Sequence, residues 1–235
     1  MVAMSDASTL SLADTEKLRS FYGQFATVKF QKNEIVYLED IEPEYAFAVK
    51  TGFIRSFTYN EANEERSISF VLKDELFPLA WVFTKTKTPL FNYIAHTDCE
   101  LYKIDIRQFN EFLAREDGLA RAFLLHSMND NVTKMLKIQA LEQGTAERKI
   151  LHTFNYFCIS YGRKILRNLI KINVPLTQKD IASFTGLTRE TTTSAITKLR
   201  RQGLLTVKRR YYTIDILRLR EVLELDGESP VLNNM

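Results

Sequence analysis

Residues 177–203, TQKDIASFTGLTRETTTSAITKLRRQG, crowd hydroxyls and cations into a stretch that holds only two acids, Asp180 and Glu190. Such side chains suit a polyanion that also displays hydrogen-bonding edges. Arginine grips a guanine edge through paired bonds, glutamate accepts from a cytosine amine, and hydroxyls and threonine methyls meet phosphate and thymine. Here Arg189 and Glu190 are adjacent, with Thr188, Thr191, Thr193 and Ser194 around them and Lys198 beyond. Thr177 and Gln178 stand at the start of the stretch, and Lys208, Arg209 and Arg210 follow just after it.

For these groups to act together, the chain must fold as helix, tight turn, helix. Thr177 can cap the first helix, with Asp180 returning the bond three residues on in a capping box. Ile181, Ala182 and Phe184 give that helix a core face. Gly186 permits the turn, and Leu187 packs beneath it. Thr188 caps a second helix, expected over residues 188–202 and stopped by Gly203. Burying Ala195, Ile196 and Leu199 turns the polar first turns outward, as a helix entering a major groove requires. Past Gly203, LLTVKRRYYTI reads as two strands joined at Lys208, Arg209 and Arg210, a wing whose basic tip would rest on phosphate.

Charge supports the same partner. Residues 163–220 hold 14 lysines and arginines against three acids, a net of +11, while the rest of the 235-residue chain carries −8. A basic C-terminal module on an acidic N-terminal one points to nucleic acid, most directly double-stranded DNA.

The remainder of the chain supplies the frame. Its length favours two domains. No apolar run reaches the roughly 18 residues of a membrane span, and the N-terminus lacks a basic start followed by an apolar stretch, so a cytoplasmic location is expected. Cys99 and Cys158 are the only cysteines. That excludes a disulfide framework, a CxxC redox pair and a four-thiolate zinc or iron–sulfur site. From Thr27 to about Asp105, short β runs alternate with turns at the spacing of an antiparallel sandwich or barrel, after a short amphipathic helix over residues 9–23. From about Arg107 to Gln143 the period is helical. Leu125, Met128, Val132 and Met135 recur there at steps of 3, 4 and 3, a seam that could bury itself against a twin helix. A further helix is expected from Thr145 to Gly162, with a hinge at about 142–146.

These features together resemble the CRP/FNR family of bacterial transcription regulators over nearly the whole chain. The likeness is carried by LTQKDIASFTGLTRETTTSAITKLRRQGLLTVKRRYYTI, by the TAERKIL before it, and by the VKTGFIR of the early strands. It implies an α+β fold with three parts: an antiparallel β-roll of the cyclic-nucleotide-binding type (1–113), a dimerisation helix (114–143) and a winged helix–turn–helix (144–235). It also implies a homodimer reading a two-fold-related DNA site, and RNA polymerase as a further partner. Arg189 and Glu190 match the family's base-reading pair. The arginine that usually follows is replaced by Ser194, which changes the expected half-site.

The sensing half departs further from the family. Members that bind cyclic AMP hold it with a Gly-Glu pair and an Arg-Ser pair. The matching positions here are Pro78 and Leu79, then Pro89 and Leu90. Without an arginine to meet the phosphate, cyclic AMP is not expected to bind. A pocket there would be lined by Phe77, Leu79, Trp81, Phe83 and Leu90, with Thr133 at the family's adenine-contacting position. It would take an apolar or aromatic effector, or be filled by its own side chains. No metal or cofactor is expected, haem on His96, His126 or His152 included. Two other readings compete. A cupin-type metal enzyme fused to a DNA-binding domain needs a histidine cluster, whereas His96 is the only histidine in residues 1–125. An adaptor would use its basic domain on RNA or an acidic protein.

Overall fold

The computed structural model describes residues 10–84 and 86–225. They fall into two compact units, and the chain passes from one to the other between Leu124 and Leu125.

The first unit begins with α1 (Leu12–Tyr22), capped by Ser11. Eight strands follow: β1 (Thr27–Phe30), β2 (Ile35–Tyr37), β3 (Ala46–Thr51), β4 (Ile54–Tyr59), β5 (Glu65–Val71), β6 (Leu76–Phe77), β7 (Asn92–Ala95) and β8 (Cys99–Ile104). A one-turn helix, α2 (Leu79–Phe83), lies between β6 and β7, and α3 (Ile106–Arg115) closes the series. The strands form two antiparallel sheets, ordered β1-β8-β3-β6 and β2-β7-β4-β5. The β-roll expected from the sequence is therefore present. Its centre is β3, whose AFAV run is buried on both faces. Alternation sends Ala46 and Ala48 to a core shared with Leu18, Tyr22, Phe109 and Phe123. Phe47 and Val49 go to the other core, with Ile54, Phe77, Tyr93 and Leu101. Small residues face the helices because helices must approach closely there; large ones fill the space between the sheets.

The helical run expected from Arg107 to Gln143 divides in two. α3 ends at Arg115, Glu116 is extended, and Gly118 takes φ 77° before α4 (Leu119–Leu141) begins. A left-handed residue ends a helix, and glycine adopts it without a Cβ clash. The apolar period runs through the break because Leu113, Leu119 and Phe123 all enter the same core. Later in α4, Leu124, Leu125, Met128, Val132, Met135 and Ile138 are each between 54 and 65% exposed.

The second unit continues with α5 (Ala146–Tyr161), capped by Thr145, then β9 (Gly162–Lys164) and β10 (Leu169–Ile172). Next come α6 (Gln178–Thr185), α7 (Arg189–Arg201), β11 (Leu205–Lys208), β12 (Tyr211–Asp215) and α8 (Ile216–Leu225). The β9–β10 hairpin has no counterpart in the sequence reading; it extends the wing into a four-stranded sheet, β11-β12-β10-β9. Ile150, Phe154, Phe157 and Tyr161 of α5 build the core, with Phe157 edge-on to Phe184 at 5.1 Å.

Lys137 of α4 lies 4.7 Å from the centre of the Phe184 ring. Burial pulls its ammonium down to about 8 from an ordinary 10.5. Between those values the unfolded chain binds more protons than the native one at this site, so the Lys137 contribution to stability rises with pH across that window. Buried phenols and thiols with raised pKa act in the opposite direction, so the effect is read as a difference: in chemical denaturation, wild-type stability relative to Lys137→Met is expected to rise by on the order of 2 kcal/mol from pH 8 to pH 10.5.

Candidate nucleic-acid interface

The interface begins with two caps. Thr177 Oγ1 accepts from the Asp180 N–H at 3.1 Å, and Asp180 Oδ2 accepts from the Thr177 N–H at 2.7 Å, closing the capping box over α6. Gly186 ends α6 at φ 70°. Thr188 Oγ1 then accepts from the Thr191 N–H at 3.1 Å and starts α7. Each element is where its local residue types place it.

α7 is held from behind. Thr192, Ala195, Ile196 and Leu199 are buried, while Thr188, Arg189, Glu190, Thr191 and Ser194 are exposed. Thr193 behaves differently from its neighbours. It is half-buried, and its hydroxyl serves both Gln178 Oε1 and the Arg189 carbonyl, at 2.7 Å each. It therefore ties the start of α6 to the first turn of α7, and it orients the Gln178 amide. Lys198 is exposed but ion-paired with Glu147 of α5. That partner was not visible in the sequence, where 51 positions separate the two residues.

The wing is a two-residue hairpin. Lys208 pairs with Tyr211 across it, leaving Arg209 and Arg210 as the whole turn. Both are exposed and left-handed, at φ 48° and 71°. The twist of the strands demands this turn, which asparagine and glycine adopt readily. The Arg210 carbonyl accepts from the Leu176 N–H at 2.8 Å, which anchors the tip beside the start of α6. Under it Tyr212 packs on Phe154 at 5.2 Å, and burial pushes its phenol up to about 12, so it is an uncharged support. Thr177, Gln178, the exposed front of α7 and Lys208, Arg209 and Arg210 all belong to this one unit.

The residues named for an effector pocket are dispersed. Phe77 is buried between the sheets, with ring centres 6.1 Å from Phe47, 6.0 Å from Tyr37 and 5.1 Å from Tyr93. Leu79 and Trp81 pack on the other core, beside the helices. Phe83 and Leu90 are exposed. Thr133 donates to the Asn129 carbonyl at 2.8 Å. Ser56 and Ser69 meet at 2.8 Å, so these part-buried hydroxyls satisfy one another. Burial pushes the Cys99 and Cys158 thiols up, which keeps both protonated at neutral pH. Among the described residues no three His, Cys, Asp or Glu side chains gather to hold a metal ion, and no helix is long and apolar enough to cross a membrane.

Known proteins share this arrangement. A family model described as the Crp-like helix-turn-helix domain matches residues 154–222, and one described as the cyclic nucleotide-binding domain matches residues 27–116. An anaerobic regulatory protein of Aggregatibacter actinomycetemcomitans is 24% identical over 201 residues, covering 85% of this chain and 76% of that protein. FixK2 from Bradyrhizobium japonicum superposes with a TM-score of 0.67 at 20% identity, over 84% of this chain and 96% of that one. A CooA mutant from Carboxydothermus hydrogenoformans gives 0.69 at 19%, over 86% and 89%. These two structures bear on the fold.

The strained wing tip sets a test of stability. A left-handed non-glycine residue costs roughly 1–2 kcal/mol. Arg209→Asn with Arg210→Gly is expected to raise unfolding free energy by about 1–2 kcal/mol in urea titrations.

Proposed function

Because the chain belongs to the CRP/FNR family of bacterial transcription regulators, we propose that it acts as a homodimer that lays α7 of each copy in successive major grooves of a two-fold-related DNA site. The observation that carries this reading is the one-sided attachment of α7. Its back is buried, and its exposed front brings Arg189, Glu190, Thr191 and Ser194 forward in the same unit as a basic wing tip. Arg189 is suited to grip guanine and Glu190 to accept from cytosine. Thr177, Gln178, Thr188, Lys208, Arg209 and Arg210 then fix the register on phosphate. Thr193 acts through Gln178 and the turn, since its hydroxyl is already engaged. Lys198 reaches phosphate once it leaves Glu147. The regulatory role makes RNA polymerase the expected further partner.

The dimer reading rests on α4. Leu125, Met128, Val132 and Met135, joined by Leu124 and Ile138, leave an apolar row in solvent on a single chain. Pairing two such rows buries both. As for an effector, Tyr37, Phe47, Phe77 and Tyr93 fill the space between the sheets, and positions 78, 79, 89 and 90 carry no charge. Both facts support a roll that does not take cyclic AMP, and an apolar effector entering there must displace rings. As for the enzyme reading, His96 lies tilted against Phe70 with ring centres 4.9 Å apart, and it joins no group of three His, Cys, Asp or Glu side chains among the described residues.

Two measurements test the proposal. On a duplex recovered from a random pool by the wild-type protein, Arg189→Ala is expected to weaken binding about tenfold to a hundredfold. Undiminished affinity in a folded variant overturns the assignment of α7. Met128→Glu with Met135→Glu is expected to convert dimer to monomer in sedimentation at micromolar concentration, and a dimer that persists removes α4 as the interface.

A further inference from the structure

Glu190, Ser194 and Lys198 recur every four residues along α7 and form one exposed row. The row places Lys198 at the edge of the DNA-facing surface, yet its ammonium is held by the Glu147 carboxylate. Glu147 stands in the first turn of α5, which Thr145 caps, and α5 packs directly on α7. Between the two helices lies a groove of about 480 Å³ bordered by Ala146, Glu147, Glu190, Thr191, Ser194 and Lys198. A phosphate entering beside Lys198 therefore meets a cation already neutralised, with a second carboxylate from Glu190 nearby. The field of the α5 N-terminus would otherwise favour an anion, but Glu147 already supplies one. The ion pair is open to solvent, with Lys198 58% and Glu147 33% exposed, and such pairs are weak enough to be exchanged.

We propose that Glu147 is an intramolecular competitor of DNA phosphate for Lys198, and that this competition sets the affinity of the protein for its site. Binding exchanges the Lys198–Glu147 pair for a Lys198–phosphate pair and leaves the Glu147 carboxylate facing the backbone. The contact then contributes little counterion release, because the cation was neutralised beforehand. The inference rests on the DNA-binding reading above.

The test uses the full-length wild type, Glu147→Gln, Lys198→Gln and the double variant on the duplex that the wild type recovers from a random pool. Affinity is measured by fluorescence anisotropy across a salt series, with thermal unfolding of all four proteins in parallel. Glu147→Gln is expected to bind about threefold to tenfold tighter, with a dependence of log affinity on log salt steeper by about one. In the Lys198→Gln background the same change is expected to gain about twofold or less. Unchanged or weaker binding by Glu147→Gln overturns the proposal. So does a gain retained in full without Lys198, which would mean that Glu147 repels DNA directly. A wild type that recovers no duplex at all defeats the DNA-binding reading, a result distinct from recovering a duplex on which Glu147→Gln has no effect.

Discussion

The C-terminal unit depends on α7 being buried along one stripe. Thr192, Ala195, Ile196 and Leu199 make that stripe, and Arg189, Glu190, Thr191 and Ser194 stay exposed and polar. The caps at Thr177 and Thr188 and the left-handed Gly186 fix where that stripe begins, so the turn between α6 and α7 sets which residues come forward. Thr193 adds a polar stay across the turn. Thr192 is a counterexample within the same threonine run: it is fully buried, and its hydroxyl has no partner among the described residues. Such a group costs about 1–3 kcal/mol, and nothing in the structure explains why a threonine stands there.

Strain and charge meet at the wing. Two arginines occupy a turn whose backbone favours asparagine and glycine, and both side chains remain in solvent. Strain that persists at an exposed tip has no packing reason, which is why it points to function. The +11 of residues 163–220 has the same meaning at the level of the whole unit.

In the roll, aromatic side chains occupy the space between the sheets. Because β3 is covered on both faces, its alternate residues feed two separate cores, and Leu76 and Phe77 repeat the division one strand away. The rings of Tyr37, Phe47, Phe77 and Tyr93 lean on one another at 5 to 6 Å, the separation at which edge-to-face and tilted pairs are favourable. α4 shows the opposite condition. Its apolar row is left in water, a state that a lone helix tolerates poorly.

Features governed by a few adjacent residues were legible from the chain alone: the capping box, the turn glycine, the N-cap of α7, the pair of wing strands and the apolar seam of α4. Each is decided by backbone stereochemistry or by a short period, so the residue types carry the information. What joins distant positions was not legible. The β9–β10 hairpin is stabilised by pairing with β12, the break at Gly118 hides inside an unbroken apolar period, and the residues assigned to one pocket fall to different faces of the sheets. The partner of Lys198 lies 51 positions away, and the hydroxyl of Thr193 turned from the DNA face to Gln178. Local chemistry thus determined which polar and basic groups α6, α7 and the wing carry for the proposed contact with a polyanion. Tertiary packing alone decided which of them are free to reach it, because a side chain's partner depends on what the fold brings within hydrogen-bonding distance.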